Sequence, residues 1–221
     1  MAEPFEINQA DPTVFQAALT TGERLFLSRL AGDVIELLGI DDSAVEQSPQ
    51  DPFVEMMAGL GMDETAEVPL DPAVLRLLPQ ASDDPEVAAE FRRFTDNDLR
   101  QTKVSRLLLV SRLLLSVPPN AEDSVHIPLE VTSEQAPQFA AALADIRLVL
   151  ADRLDVVTEE DSDAVQDLAY EQMTPEVQEE LTEQEYHRYL LASLFSVTGF
   201  LLESLMECLL SQLRKGPRSS D

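Results

Sequence analysis

The residue types that most often carry out chemistry are scarce in this chain. It contains two histidines, His126 and His187, and one cysteine, Cys208, among 221 residues. Neither histidine has a second histidine or a cysteine at the spacing that zinc ligands use, so we predict structural roles for both. Cys208 lies in an apolar segment next to Glu207, which predicts a small buried residue instead of an ionised nucleophile. Modification of this lone thiol stays open as a candidate role.

Carboxylate pairs are abundant, but 42 Asp and Glu residues produce them by chance. The run TEEDSD, residues 158–163, offers oxygen ligands for a divalent cation, yet it lacks the ligand order and the glycine of an EF-hand loop. A solvated charge run is the simpler interpretation. The chain also has no GxGxxG motif, no phosphate-binding loop and no nucleophile elbow. We therefore predict no catalytic residues, no metal and no cofactor, and a protein that is not an enzyme.

Five of the chain's 15 Lys and Arg residues fall within EFRRFTDNDLRQTKVSR, residues 90–106, although the formal net charge of the chain is −27. This basic cluster is a candidate partner-binding site, and its members are Arg92, Arg93, Arg100, Lys103 and Arg106. On a helix of about 3.6 residues per turn, the last three share one broad face. The first two belong to a preceding short helix, so the cluster is predicted to form a corner between two helices at the TDND turn.

Two accounts of this corner stay open. In one, the cations neutralise acidic neighbours such as DDPE and residues 158–163, through salt bridges worth at most ~1 kcal/mol each when exposed. In the other, they dock an acidic segment of a partner. Direct DNA binding is the weaker alternative, because the segment has a charge of only +2 and the other 204 residues carry −29, which repels nucleic acid and anionic membranes. Phe91, Phe94 and Leu99 are expected to face the core, which leaves no exposed ring for base stacking.

Caps and helix breakers predict the elements that must position these residues. Asp-Pro pairs at 11–12, 51–52, 71–72 and 84–85 each combine a good N-cap with the residue preferred at the first helical position, so each is predicted to start a helix. Thr95 and Asp98 resemble a capping box that opens a further helix over 96–117.

Helix caps and helix breakers also predict the elements in the second half of the chain. VHIPLEV, residues 125–131, is the best strand candidate, and Pro128 predicts an edge position. Thr132 or Ser133 caps the next predicted helix. Thr182 and Glu185 form a capping box for the last helix, which Gly216-Pro217 ends.

Residues 14–40 and 128–154 resemble each other at a shift of 112 positions. Each pattern predicts a short extended segment, then a Thr or Ser cap with a nearby Glu, then an apolar helix. The resemblance suggests two strand–helix units whose strands pair into a small sheet. The alternative, that capped amphipathic helices simply look alike, stays open.

These patterns predict a mainly α fold, α+β with a minor small sheet: a helical bundle with two short, pseudo-repeated strand–helix units. The predicted order is an N-terminal arm (1–13), one α-rich domain (14–213) and a disordered tail (214–221). The domain is divided into a strand–helix unit (14–45), a helical segment (51–117), a second strand–helix unit (125–156), an acidic connector (157–174) and C-terminal helices (175–213).

Location and assembly can also be predicted. The acidic start lacks the apolar core of a signal peptide, and one cysteine excludes an intramolecular disulfide, so we expect a cytoplasmic protein. The apolar run 189–202 is too short to span a bilayer of about 30 Å, so we expect no membrane association. The helix over 189–213 is apolar on more than one stripe and must be buried against its own domain or a copy of itself, which predicts a homodimer.

Three segments carry a family resemblance: LRLLPQASDDPEVAAEFRRFTDNDLRQTK (75–103), ALADIRLVLADRLDV (142–156) and LFSVTGFLLESLMECLL (194–210). In this order they resemble the landmarks of an actinobacterial family described as a domain of unknown function, whose members include the oxidative-stress transcriptional regulators named AosR. The resemblance covers most of residues 14–213. The second landmark departs from the family's Asn-Asp but keeps Asp145 and Arg147.

The resemblance implies a cytoplasmic, non-enzymatic regulator that contacts a stress sigma factor, with disulfide chemistry as the trigger. An internal disulfide cannot form here, because Cys208 has no second cysteine in the chain. We therefore predict a regulatory interaction protein, stress-linked and acting through protein partners such as a sigma factor. The alternatives are a DNA-binding regulator that uses the 92–106 corner and an unrecognised small-ligand-binding protein.

Overall fold

The computed structural model describes residues 2–39, 70–117, 125–170 and 181–215, which form three strands and six helices. The strands are β1 (Glu3–Ile7), β2 (Val14–Thr20) and β3 (His126–Thr132). The helices are α1 (Thr21–Leu37), α2 (Pro72–Leu77), α3 (Pro85–Leu115), α4 (Ala136–Arg153), α5 (Glu159–Tyr170) and α6 (Glu183–Lys215). The predicted mainly α fold with one small sheet is confirmed.

The sheet is antiparallel, with the order β1-β2-β3. Strands β2 and β3 pair from Val14 opposite Thr132 to Thr20 opposite His126, so the strands of the two strand–helix units do pair with each other. Strand β3 lies at an edge, as Pro128 predicted. The segment predicted as an N-terminal arm contributes β1, which has only five residues and too little alternation to be recognised beforehand.

Three of the four Asp-Pro pairs lie in the described residues, and one of these was interpreted wrongly. Asp71 and Asp84 are the N-caps of α2 and α3, as predicted. Asp11-Pro12 starts no helix but forms the turn between β1 and β2. The Asp11 carboxylate accepts bonds from the backbone N–H of Thr13 at 2.9 Å and from its hydroxyl at 2.7 Å, and this side-chain turn competes successfully with a helix start. The pair at 51–52 lies outside the described residues.

Helix α3 corrects the prediction of two helices that meet at a corner. It runs without a break through TDND, from Pro85 to Leu115. The Thr95 hydroxyl does not cap a new helix but donates to the carbonyl of Phe91 at 2.7 Å, one turn back in the same helix. Asp96 lies 3.7 Å from Arg100 as an i,i+4 ion pair, which supports the continuous helix.

The core lies between the inner face of the sheet and helices α1, α3, α4 and α6. Helix α4 is central, because it packs against α2, α3 and α6 and touches β3. The largest fully buried apolar side chains come from every layer, and they include Phe15, Leu19, Leu27, Leu107, Leu129, Phe139 and Ile146.

The stretch predicted as an acidic connector, 157–174, contains helix α5, so that prediction was wrong for Glu159–Tyr170. Val165 is buried, the half-buried Leu168 and Ala169 also pack against the core, and α5 packs against α6. The high content of acidic residues concealed this one-sided contact. The capping box of Thr182 and Glu185 at the start of α6 is confirmed. Arg214 and Lys215, the first two residues of the predicted tail, are helical, and residues 216–221 lie outside the described part of the chain.

Candidate interaction surface

Arg100 serves inside the fold and is not free to dock a partner. Its Nη1 atom donates to the carbonyl oxygen of Leu38 at 2.6 Å, at the C-terminal end of α1. A guanidinium is favourable there because the last carbonyls of a helix carry partial negative charge. The chain then turns at Gly39, whose φ of 74° lies in the left-handed region that favours glycine.

Lys103 is also internal. Its ammonium lies 2.5 Å from Oδ1 of Asp145, and both side chains are buried. The pair connects α3 to α4, and Oδ2 of Asp145 finds no hydrogen-bond partner among the described residues. The prediction that Arg100 and Lys103 belong to an exposed docking cluster therefore requires correction. Both act within the domain, but their partners are Leu38, Asp96 and Asp145 and not the acidic runs that the neutralisation account named.

The three remaining cations differ in their exposure. Arg93 is exposed, and its guanidinium carbon lies 5.8 Å from the centre of the Phe94 ring. Arg92 and Arg106 are half-buried, and Nε of Arg92 is buried without a hydrogen-bond partner among the described residues. Only Arg93 of the five predicted residues is thus fully accessible to a partner.

The apolar residues beside Arg93 are also exposed, which corrects the prediction that they face the core. Phe91 and Phe94 are 44% and 68% exposed, and Val87 lies on the same side of the helix one turn earlier. Since α1 ends opposite Arg100, the first four turns of α3 extend past it. Only Leu99, further along, packs against the core. We call Val87, Phe91, Arg93 and Phe94 the α3 surface.

The second and third family landmarks contact each other through Arg147 and Gly199. The Arg147 guanidinium lies over the Phe195 ring, 4.5 Å from its centre. A Cβ atom at Gly199 would lie 2.9 Å from Nη1 of Arg147, so any larger residue at this position would require the guanidinium to shift. Burial lowers the pKa of Arg147, and the nearby charge of Glu203 opposes that shift.

Arg24 is a buried arginine that sequence reasoning missed. Its guanidinium donates to five backbone carbonyls: those of Leu113, Leu114 and Ser116 at the end of α3, and those of Ile127 and Pro128 in β3. Burial lowers its pKa. The available signal was its place on the face shared by Leu27, Ser28 and Ala31, at spacings of three, four and seven residues.

Cys208 is buried, as predicted, and it has a specific contact. Its thiol donates to the carbonyl of Phe5 at 3.3 Å, while the N–H of Phe5 donates to the hydroxyl of Ser204 at 3.0 Å. Two side chains one turn apart on α6 thus satisfy the backbone N–H and C=O of Phe5 on the free edge of β1. Burial raises the pKa of the thiol, and the charges of Glu207 and Glu6 raise it further. These surroundings disfavour the thiolate that modification requires.

Among the residues that the structure describes, neither histidine belongs to a cluster of metal-ligating side chains. His126 begins β3, and His187 is exposed at an open groove between α1 and α6. One part of this groove, about 440 Å³, is lined mostly by apolar side chains such as Phe26, Leu190 and Leu194. Within the described ranges, no group of three or more His, Cys, Asp or Glu side chains is arranged to hold a metal ion.

Helix α6 is long and apolar enough, by length and composition, to cross a membrane. One face of the same helix is buried in the domain core through Phe195, Leu201 and Leu205. Long core helices share these properties, so the helix by itself does not assign a location.

Comparison with known proteins assigns the chain to a family. Residues 2–209 match the family described as "Domain of unknown function (DUF2017)", and the chain belongs to it. No curated protein and no solved structure matches the chain.

Proposed function

We propose that this DUF2017 protein is a non-enzymatic regulator that acts by binding another protein, and that the α3 surface is its docking site. The observation that supports the proposal is the exposure of Phe91 and Phe94 beside an accessible arginine. Aromatic residues and arginine are enriched where proteins bind each other, whereas large rings in contact with water are unfavourable on an isolated domain.

Two kinds of interaction, one electrostatic and long-range and one made by direct contact, define the chemistry of the partner. At long range, a net charge of −27 attracts basic proteins and repels nucleic acid and anionic membranes. At short range, Phe91 and Phe94 require an apolar patch, and Arg93 offers a donor to a carboxylate at its rim. The family resemblance suggests a component of the transcription machinery, such as a sigma factor, as this partner. We therefore propose a cytoplasmic, stress-linked transcriptional regulator that acts through such a protein.

The test is affinity purification of the tagged protein after chemical crosslinking in its native host. We compare the wild type with the Phe91→Glu/Phe94→Glu variant, and with Leu148→Glu as a matched control on α4, where another exposed apolar residue is replaced. A partner should be recovered with the wild type and the control and lost from the double variant. Circular dichroism verifies that all three proteins are folded.

The outcomes separate the parts of the proposal. Recovery of a sigma factor or an RNA polymerase subunit supports the transcriptional role. A reproducible partner outside transcription overturns that role but leaves the docking site standing. Equal recovery with all three proteins, or no partner at all, overturns the docking site.

Small-ligand binding is a second candidate, favoured by the apolar groove between α1 and α6. A saturated fatty acid is a suitable probe because the lining is mostly apolar. The chain has no tryptophan, so a Leu194→Trp variant provides a fluorescence signal in the groove. Unchanged emission on titration with palmitate excludes this probe class.

Two findings bear on direct DNA binding in opposite directions. The exposed rings of Phe91 and Phe94 could stack on bases, which the sequence did not predict. Arg100 and Lys103 are engaged inside the fold, however, so too few accessible cations remain for a phosphate-binding surface, and this alternative stays less favoured.

A further inference from the structure

The C-terminal half of α6 carries an exposed apolar stripe on the side that faces away from the core. Its members are Met206, Leu210 and Leu213, spaced four and three residues apart, so they follow one side of the helix. Leu213, the last of them, is 77% exposed. The opposite side of the same turns is buried through Leu205 and Cys208. We call the three exposed residues the α6 stripe.

Two opposite charges lie along one flank of the α6 stripe. Glu207 and Arg214 are both exposed and are seven residues apart, about two helical turns, so they project in nearly the same direction. Arg214 forms no ion pair with any of the residues that the structure describes. Glu203, one turn before Glu207, already faces Arg147. The flank therefore carries one acidic and one basic side chain that are too far apart to neutralise each other.

We propose that the α6 stripe binds a second copy of this chain, with the two α6 helices antiparallel about a two-fold axis beside Leu210. In such a symmetric contact, each flank meets the same flank of the other copy. An axis midway between positions 207 and 214 places Glu207 opposite Arg214 of the second copy, and the symmetry repeats this pair. The same register places Leu213 of each copy between Met206 and Leu210 of the other. The charge pattern is thus complementary to itself in one orientation only.

The size of the contact and the charge of the two chains determine how strong this association is. The contact spans about two helical turns on each side, which is at the small end for a specific interface and predicts a weak, reversible dimer. Two chains of −27 each repel one another, and added salt screens this repulsion. Self-association should therefore become tighter as salt increases, whereas docking of a basic partner on the α3 surface should become weaker. This inference is independent of the proposed function.

The test is sedimentation equilibrium of the full chain at several concentrations, in about 50 mM and about 500 mM salt. The wild type should show a reversible monomer–dimer equilibrium whose dissociation constant falls as salt rises. Arg214→Glu and Glu207→Arg should each raise the dissociation constant by about tenfold, because each variant replaces two attractive contacts by two repulsive ones. The double exchange Glu207→Arg/Arg214→Glu restores both pairs and should return the constant to near the wild-type value.

Arg29→Glu is the matched control, because it makes the same change in net charge on an exposed position of α1. It should leave the dissociation constant within about twofold. Leu210→Lys provides a second disruption that does not depend on the ion pairs. A monomer at every salt and concentration overturns the proposal, and so does a dimer that the exchange variants leave unchanged. Binding of a monomeric chain to phosphatidylcholine vesicles, lost in Leu210→Lys, would assign the stripe to a membrane and also overturn it.

Discussion

The ammonium of Lys103 lies 2.5 Å from Oδ1 of Asp145 in the buried contact between α3 and α4. Such a pair adds little net stability relative to two apolar side chains of the same volume, because both charges have lost their water. Removal of one partner strongly destabilises the protein, because it leaves a buried charge without compensation. The pair therefore fixes how α3 meets α4 more than it strengthens the domain.

Replacement of one member of this pair should destabilise the protein far more than replacement of both. Lys103→Met or Asp145→Leu alone should lower the free energy of unfolding by ~3–5 kcal/mol, because the remaining charge is buried without a partner. The double variant should lie within ~1 kcal/mol of the wild type or above it. Urea unfolding followed by circular dichroism measures these differences. Arg153→Met, which breaks a more exposed pair with Asp71, is the control and should cost less than ~1 kcal/mol. Equal losses in the single and double variants would contradict the prediction.

The start of α5 should give a specific pH dependence. The Asp161 carboxylate accepts bonds from the backbone N–H groups of Thr158 at 2.8 Å and Val157 at 3.1 Å, and these bonds lower its pKa. A carboxyl whose pKa is lowered by folding contributes stability above its unfolded pKa of about 3.9, and the contribution is lost as pH falls through the lower folded value.

The difference in stability between wild type and Asp161→Ala should therefore be constant from neutral pH down to about pH 5 and should shrink below about pH 4. The midpoints of urea unfolding, measured for both proteins across this pH range, give the difference in stability. Asp163→Ala removes an exposed acid from the same helix without removing a cap and should show a smaller difference. A difference that grows as the pH falls would refute the assignment.

Gly199 and Arg147 should be energetically coupled. An alanine in a helix is ordinarily more stable than a glycine by roughly 0.5–1 kcal/mol. Here the added methyl group would meet the Arg147 guanidinium and displace it from the Phe195 ring, which offsets that gain. Gly199→Ala should therefore stabilise the Arg147→Ala variant but not the wild type, with a coupling of at least ~0.5 kcal/mol in the double-mutant cycle. Additive effects in this cycle would show that the close approach has no energetic consequence.

Cys208 should react slowly in the native protein. Burial and the neighbouring carboxylates raise the pKa of the thiol, so little thiolate forms at neutral pH, and the group is already hydrogen-bonded to Phe5. Alkylation by iodoacetamide at pH 8 should be roughly 100-fold slower for the native protein than in urea, because it requires local opening. The rates can be followed by intact mass spectrometry. Rapid, complete labelling of the folded chain would instead support a role of this thiol in sensing.

The sequence was most informative where a local side chain determines a local structure. The caps Asp71 and Asp84 and the box of Thr182 and Glu185 lie where they were predicted, because each bonds to a backbone group two or three residues away. The edge position of β3 followed in the same way from the missing N–H of Pro128.

The errors arise where a structure is determined by more than a few neighbouring residues, either along one long helix or through contact with a distant element. Thr95 and Asp98 resemble a cap, but in α3 the cost of ending a helix outweighs one cap, so the helix continues. Val87, Phe91 and Phe94 have the spacing of a buried helix face. Their periodicity does not reveal, however, that α1 ends before it could cover them. The carbonyl partners of Arg24 are 89 or more positions away, beyond the reach of any local pattern.

The two side chains that satisfy the backbone of Phe5 come from residues 204 and 208, so this contact is 199 or more positions distant in sequence. During synthesis the first strand leaves the ribosome long before the helix that closes its edge. Until then β1 presents an unpaired N–H and C=O, which is the arrangement that recruits strands from other chains. Native topology thus makes β1 depend on a helix about 200 residues later in the sequence, and a nascent or truncated chain that lacks α6 should be prone to aggregate even though most of its core is already present.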